Sequence, residues 1–241
     1  MKYFRKISGL CLAAGIAFAS TGASATSLTL TKLTGLTGTA PLNQTAVYKA
    51  DLSVLTGNFA AIQIRDASGN FGGAGGAFSG FDLDAIKIST QDCNSANCAA
   101  NATGLSVFNF NTGVVFTPGT QRVPVDPKLF GTGASGMTVD NSIATLGVFD
   151  GVSSTLTPFG FLSLGDNGSI AFNLTSTISG AGLYLYIGEV GDNGEVAGSN
   201  IDVLANPVPS VPEPATWAMM LGGFAVVGAA MRRRATRLSL I

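Results

Sequence analysis

The chain has 241 residues, of which 46% are hydrophobic and 11% charged, with three cysteines and no histidine. Without an imidazole, Ser-His-Asp and Cys-His nucleophilic sites and zinc centres built on His are excluded. The formal net charge is −1, but between Thr26 and Ser210 six basic residues face thirteen acidic ones, a net −7, so nucleic acid is not an expected partner, because phosphate binding needs clustered Lys and Arg.

The N-terminus has the three parts of a secretory signal. Lys2, Arg5 and Lys6 are basic, Ile7 to Ala19 is apolar but short, and Ala23-Ser24-Ala25 offers small residues for cleavage. Residues 1–25 are therefore expected to be a signal peptide, with the mature chain starting at Thr26. Cys11 falls inside the signal, and Leu10 stands where a lipoprotein site needs a small residue.

Residues 26–205 are expected to form a single exported domain. Ser27–Leu33, Ala61–Arg65 and Ala85–Ile88 alternate with period two, as half-buried strands do. Phe159–Leu164, Ser169–Leu174 and Leu183–Ile187 follow, the last rich in aromatic and β-branched residues. Asn167-Gly168 between two such runs predicts a hairpin, and Asn193-Gly194 another turn. No stretch of this region has a helical period, and no repeat of domain-building length occurs. The expected fold is all-β, an antiparallel β-sandwich of jelly-roll type. Gly69 to Gly80, with six glycines in twelve residues, reads as a flexible surface loop, its rival being an ordered turn packed around Phe71, Phe78 and Phe81.

Cys93 and Cys98 are close in sequence, and in an oxidising compartment a local disulfide is expected of them rather than a metal site. Closing so short a loop stabilises by about 2 kcal/mol at best.

Few constellations carry chemistry. A Ser-Lys dyad has no supporting spacing among Lys32, Lys49, Lys87 and Lys128. Paired carboxylates, as in glycoside hydrolysis, are the remaining catalytic route. Asp82-Leu83-Asp84 puts two carboxylates on one strand face, but alternation alone explains them as a solvated strand edge with Phe81, Leu83 and Ala85 facing in. Asp192, Asn193 and Glu195 cluster at a turn and are expected to serve turn geometry. No cofactor or metal site is expected; calcium is compatible with Asp82/Asp84 or Asp192/Glu195 but lacks a dedicated motif. Gly131–Gly136 imitates a phosphate loop without the strand before it or the helix after it. For glycan binding, the candidate platform is Tyr184 and Tyr186 on one strand face, with burial in the core the favoured reading.

The C-terminus is the most specific part. Residues 206–214 hold four prolines and read as an extended, semi-rigid spacer of roughly 3.1 Å per residue. They end in Pro212-Glu213-Pro214. Residues 215–231 lack charge and match a short membrane span, with Trp217 near its outer end. In residues 232–241, Arg232, Arg233, Arg234 and Arg237 would keep the tail cytoplasmic.

Residues 211–234, with Pro-Glu-Pro-Ala-Thr-Trp-Ala-Met-Met, Gly-Gly-Phe and Met-Arg-Arg-Arg, resemble the PEP-CTERM sorting domain. The resemblance implies a Gram-negative host that makes exopolysaccharide, and recognition of Pro212, Glu213 and Pro214 by an exosortase-type membrane transpeptidase. It also implies a transient inner-membrane anchor, then a place at the cell surface or outside the cell. Any catalysis there belongs to the partner enzyme. The function expected of the chain is that of a non-enzymatic surface or extracellular-matrix protein; the alternative is an exopolysaccharide-binding module, with or without calcium.

Overall fold

The computed structural model describes residues 25–38, 45–67, 69, 72–154, 156–193, 195, 200–209 and 219–228. Ten strands occur among them: β1 Ala25–Thr29, β2 Thr31–Lys32, β3 Thr45–Asp51, β4 Asn58–Arg65, β5 Asp82–Ser89, β6 Val114–Thr117, β7 Leu162–Ser163, β8 Ser169–Ser179, β9 Tyr184–Val190 and β10 Asn200–Leu204. They form two five-stranded antiparallel sheets, β1-β10-β4-β8-β6 and β2-β3-β9-β5-β7. Except from β2 to β3, the chain changes sheet at every step from one strand to the next, so most pairings are remote in sequence.

Period-two alternation decides what the sheets share. Ile62 and Ile64 of β4, Ile170 and Phe172 of β8, and Ile201 and Val203 of β10 meet Leu83, Ile86 and Ile88 of β5 and Leu185 and Ile187 of β9 in one buried cluster. Burying such side chains stabilises by about 1.5–3 kcal/mol each, which makes this shared core the main source of cohesion. Two sheets joined through one core have the form of a β-sandwich.

The alternating run from Ser27 to Leu33 is divided at Leu30. β1 pairs with β10 in the first sheet and β2 with β3 in the second, so one sequence run serves both layers. The expected Asn167-Gly168 hairpin is not one. Asn167 does take a positive φ of 63°, yet β7 before it pairs with β5 and β8 after it pairs with β4 and β6. The turn is a corner at which the chain passes between sheets.

The outer face of the second sheet is covered as well. A short helix, α1 (Ala96–Asn101), capped by Ser95, lies over it. Its Ala96 and Ala99 pack with Cys93, Val47, Ala85, Phe149 and Tyr186 in a second, smaller core. Six residues are too few to print a helical period, so this helix has no trace in the sequence pattern. A second helical turn, α2 (Asn141–Ala144), is capped by Asp140.

The glycine-rich stretch is ordered over its described part. Phe78 packs on Phe130 and Phe161, with ring centroids 5.5 and 6.0 Å away, and Phe81 is fully buried. The Ala77 N–H donates to Asp126, and the Gly76 N–H to the Arg122 carbonyl. Gly80 (φ 76°) shows why glycine is needed, since a Cβ there would lie 2.3 Å from the Gly165 backbone. Phe71 lies outside the described residues.

Residues 1–24 and the motif at 212–214 also lie outside the described residues. Residues 219–228 are helical. Among the described residues no helix is long and apolar enough to cross a membrane.

Candidate functional site

The acids of β5 are not on a solvated edge. β5 lies between β9 and β7, and Asp82 and Asp84 are 4% and 0% exposed. Alternation does place them on one face, but α1 and the segment around Gly151 cover that face. The two carboxylates nonetheless go to different surroundings.

Asp84 is held by donors from two remote segments. Its Oδ2 accepts the Thr45 hydroxyl at 2.7 Å, and its Oδ1 accepts the backbone N–H groups of Asp150 and Gly151 at 3.2 and 3.0 Å. Burial nevertheless outweighs these bonds and pushes its pKa up to about 7.

Asp82 belongs to a larger group at the end of the sandwich. It accepts the Ser163 hydroxyl, while its own N–H donates to Glu195 Oε2 at 3.2 Å. Asp66, just past β4, takes the Phe81 and Asn167 N–H groups, each at 2.9 Å, and so ties β4 to the start of β5 and to the intersheet corner. Arg122 places Nε 3.3 Å from Asp166 and Nη2 3.6 Å from Glu195, and its Nη1 donates to the Gly72 carbonyl. The two ion pairs lack hydrogen-bond geometry. Glu189, fully buried in β9, has among the described residues no partner within hydrogen-bond geometry on either oxygen. The Asp192 N–H and the Lys32 ammonium act on it in favour of its charge, but burial dominates and raises its pKa to about 8.

Asp166 and Glu195 thus face one guanidinium, which also acts on Asp82, while Glu189 adds negative charge beside Asp82. Burial raises Asp82 and Glu195, and the charge of Glu189 beside Asp82 and of Asp82 beside Glu195 adds to it. Glu189 and Glu195, raised to about 8 and about 10, hold their protons at neutral pH. Among the described residues no group of three or more Cys, Asp and Glu side chains is arranged to hold a metal ion. The Asp192 and Glu195 of the acidic turn also take different partners, Lys32 and Arg122.

A cavity of about 180 Å³ opens beside this cluster, lined by Phe78, Phe161, Ala74, Asp82, Ser153, Gly191 and Asn193. Apolar rings and a few polar groups converge there, as in small-ligand sites. The tyrosine face offers no comparable platform. Tyr186 is fully buried, and half-buried Tyr184 lies under the Lys49 ammonium, 5.6 Å from its ring centroid. Cys93 and Cys98 are joined in a disulfide. Gly131–Gly136 forms a tight turn between bridged Thr132 and Val139, with no phosphate-loop geometry.

Over its described part, residues 206–209, the spacer stays in contact with the domain. The Asn173 side-chain amide grips Val208 at both polar atoms: Nδ2 donates to the Val208 carbonyl at 2.8 Å, and Oδ1 accepts the Val208 N–H at 2.7 Å. Leu204, Ala61 and Asn173 are cross-strand neighbours in one row. The chain leaving β10 therefore turns back over β4 to reach β8. From Val208 the chain runs through Pro209, Ser210 and Val211 to Pro212.

Residues 210–234 match the family model of the PEP-CTERM protein-sorting motif. The chain carries a PEP-CTERM sorting motif. The PEP-CTERM motif implies a secreted protein, anchored in the membrane at its C-terminus until exosortase cleaves it. Pro212, Glu213 and Pro214, with Arg232, Arg233 and Arg234, fall within the matched residues. No curated protein and no solved structure matches the chain.

Sequence reasoning found the motif and missed most of the buried cluster. Glu189 left a usable sign, a lone acid inside the apolar run Leu183–Val190. Asn173 left none, because a polar residue on an alternating strand is what an exposed face would carry anyway.

Proposed function

We propose that the chain is a non-enzymatic protein of the cell surface or extracellular matrix, a β-sandwich cargo delivered and processed through its PEP-CTERM motif. The observation that carries this reading is the disposition of the candidate catalytic acids. Asp84 is committed to three donors, and Asp82, 4% exposed, is committed to the Ser163 hydroxyl. Such groups suit a rigid body better than proton transfer to a bound substrate. Strand order supports a jelly roll. With the edge strands β2 and β6 set aside and the rest renumbered, the sheets read 1-8-3-6 and 2-7-4-5. Fractionation of cultures expressing the tagged chain tests the proposal: a shortened product at the surface or in the matrix is expected. Polysaccharide turnover by that product, abolished by Asp82→Asn, would overturn the non-enzymatic reading.

A second reading, exopolysaccharide binding, is favoured by the cavity at Asp82, which combines the rings of Phe78 and Phe161 with Ser153 and Asn193. Residues 26–209 should then co-sediment with host exopolysaccharide and lose binding on Asn193→Ala. Repetition in EDTA tests the calcium-assisted form. Absence of saturable binding would reject this second reading.

A further inference from the structure

We propose that Asn173 is a positioning residue for the sorting reaction: its amide latches the spacer at Val208, holds the folded body against the sorting motif, and must let go for efficient cleavage. The proposal rests on processing at the PEP-CTERM motif and goes beyond it by assigning a control to the body of the protein.

The sequence prepares Val208 for this contact. Pro207 and Pro209 have no N–H, so Val208 holds the only backbone donor from Pro207 to Pro209. The proline after it also disfavours helical backbone at Val208 and favours an extended one. One amide side chain, with an acceptor and a donor side by side, matches the N–H and C=O of such a residue as a neighbouring strand would. Both bonds form at good distances, 2.7 and 2.8 Å, and Val208 is half-buried between exposed prolines. The amide orientation is fixed too, since exchanging its O and N would break both bonds.

The consequence is one of reach. With Val208 latched, Pro212 can lie at most about 14 Å from the folded body, four residue steps of extended chain. Released, the chain is next fixed at Leu204 in β10, and the same limit becomes about 29 Å. A membrane enzyme that closes around an extended peptide needs free chain on both sides of the motif. The latched form crowds it with the sandwich. Only the unlatched fraction is then competent, and apparent efficiency scales with that fraction. Two hydrogen bonds of ordinary strength keep the latch closed by a factor on the order of ten, so its removal raises processing by up to about ten-fold.

Pulse-chase processing of the full chain in its host tests this with three variants. Asn173→Ala should speed conversion by several-fold, up to the limit above, and hydrogen exchange should show the Val208 amide deprotected. Six Gly/Ser residues inserted between Pro209 and Ser210 should accelerate the wild-type chain equally and make Asn173→Ala no faster still. Wild-type or slower conversion of either variant overturns the proposal; the insertion leaves every contact of the body intact and decides the matter if Asn173→Ala misfolds. Glu213→Ala, run beside them, separates the two levels, because normal cleavage of that variant would refute the sorting reading itself.

Discussion

The hydroxyl of Tyr186 accepts the backbone N–H of Cys93 at 2.9 Å and donates to the carbonyl of Gln91. A side chain at the centre of β9 thereby fastens the disulfide-bearing segment to the second sheet. Tyr186→Phe would keep the packing, leave the buried Cys93 N–H unsatisfied and deprive the Gln91 carbonyl of its donor. A loss of about 1–3 kcal/mol is expected, measured by urea denaturation. An unchanged midpoint would show that these two bonds do not contribute to holding the segment.

The Cys93–Cys98 bridge closes a loop with a sequence separation of only 5. Its removal in a Cys93→Ala/Cys98→Ala double variant should cost about 2 kcal/mol in the loop-entropy account. Cys93 is also fully buried in the smaller core, so the loss should be somewhat larger than loop closure alone predicts.

Asp84 separates charge from hydrogen bonding. Asp84→Asn keeps an acceptor for the Gly151 N–H and presents an NH2 to the Thr45 hydroxyl, which can turn to accept it. Asp84→Ala leaves those donors without partners. The Asn variant should melt near the wild type at neutral pH, and the Ala variant should lose about 3 kcal/mol or more.

Stability should fall as pH rises. Asp84 and Glu189 have folded pKa values raised to about 7 and about 8, so the native state holds protons that the unfolded chain releases near pH 4, roughly the ordinary carboxylate range. Their contribution is complete below that range and is lost as pH climbs through the folded values. Asp51 and Asp140, lowered by Ser53 and Ser142, act in the opposite sense and only under acid conditions. The melting temperature should therefore drop between pH 5 and pH 9, and Glu189→Gln should flatten that slope. A melting temperature that rises over this range would contradict the assignment of a neutral buried cluster.

Alternation made the core strands β4, β5, β8 and β9 legible, because burial on one face of a strand leaves a period of two. β3, β6 and β10 were not marked. β6 is a short edge strand of half-buried residues, and β10 a five-residue strand whose pattern is too brief to stand out. At Asn167 the turn chemistry was legible and its outcome was not, since a positive φ fixes a local bend and not which sheet receives the next strand. Asp82 and Asp84 were placed on the right face, but cover by α1 and the Gly151 segment arises from tertiary packing that alternation does not record. The latch between Asn173 and Val208 joins residues 35 apart through one amide, a contact with no periodic signature.

The most direct test of sorting is a membrane fractionation of the host expressing wild-type and Glu213→Ala chains. The wild type should appear shortened and leave the inner membrane, while Glu213→Ala stays full-length and membrane-bound. Normal shortening and release of Glu213→Ala would contradict the role of the Pro-Glu-Pro motif.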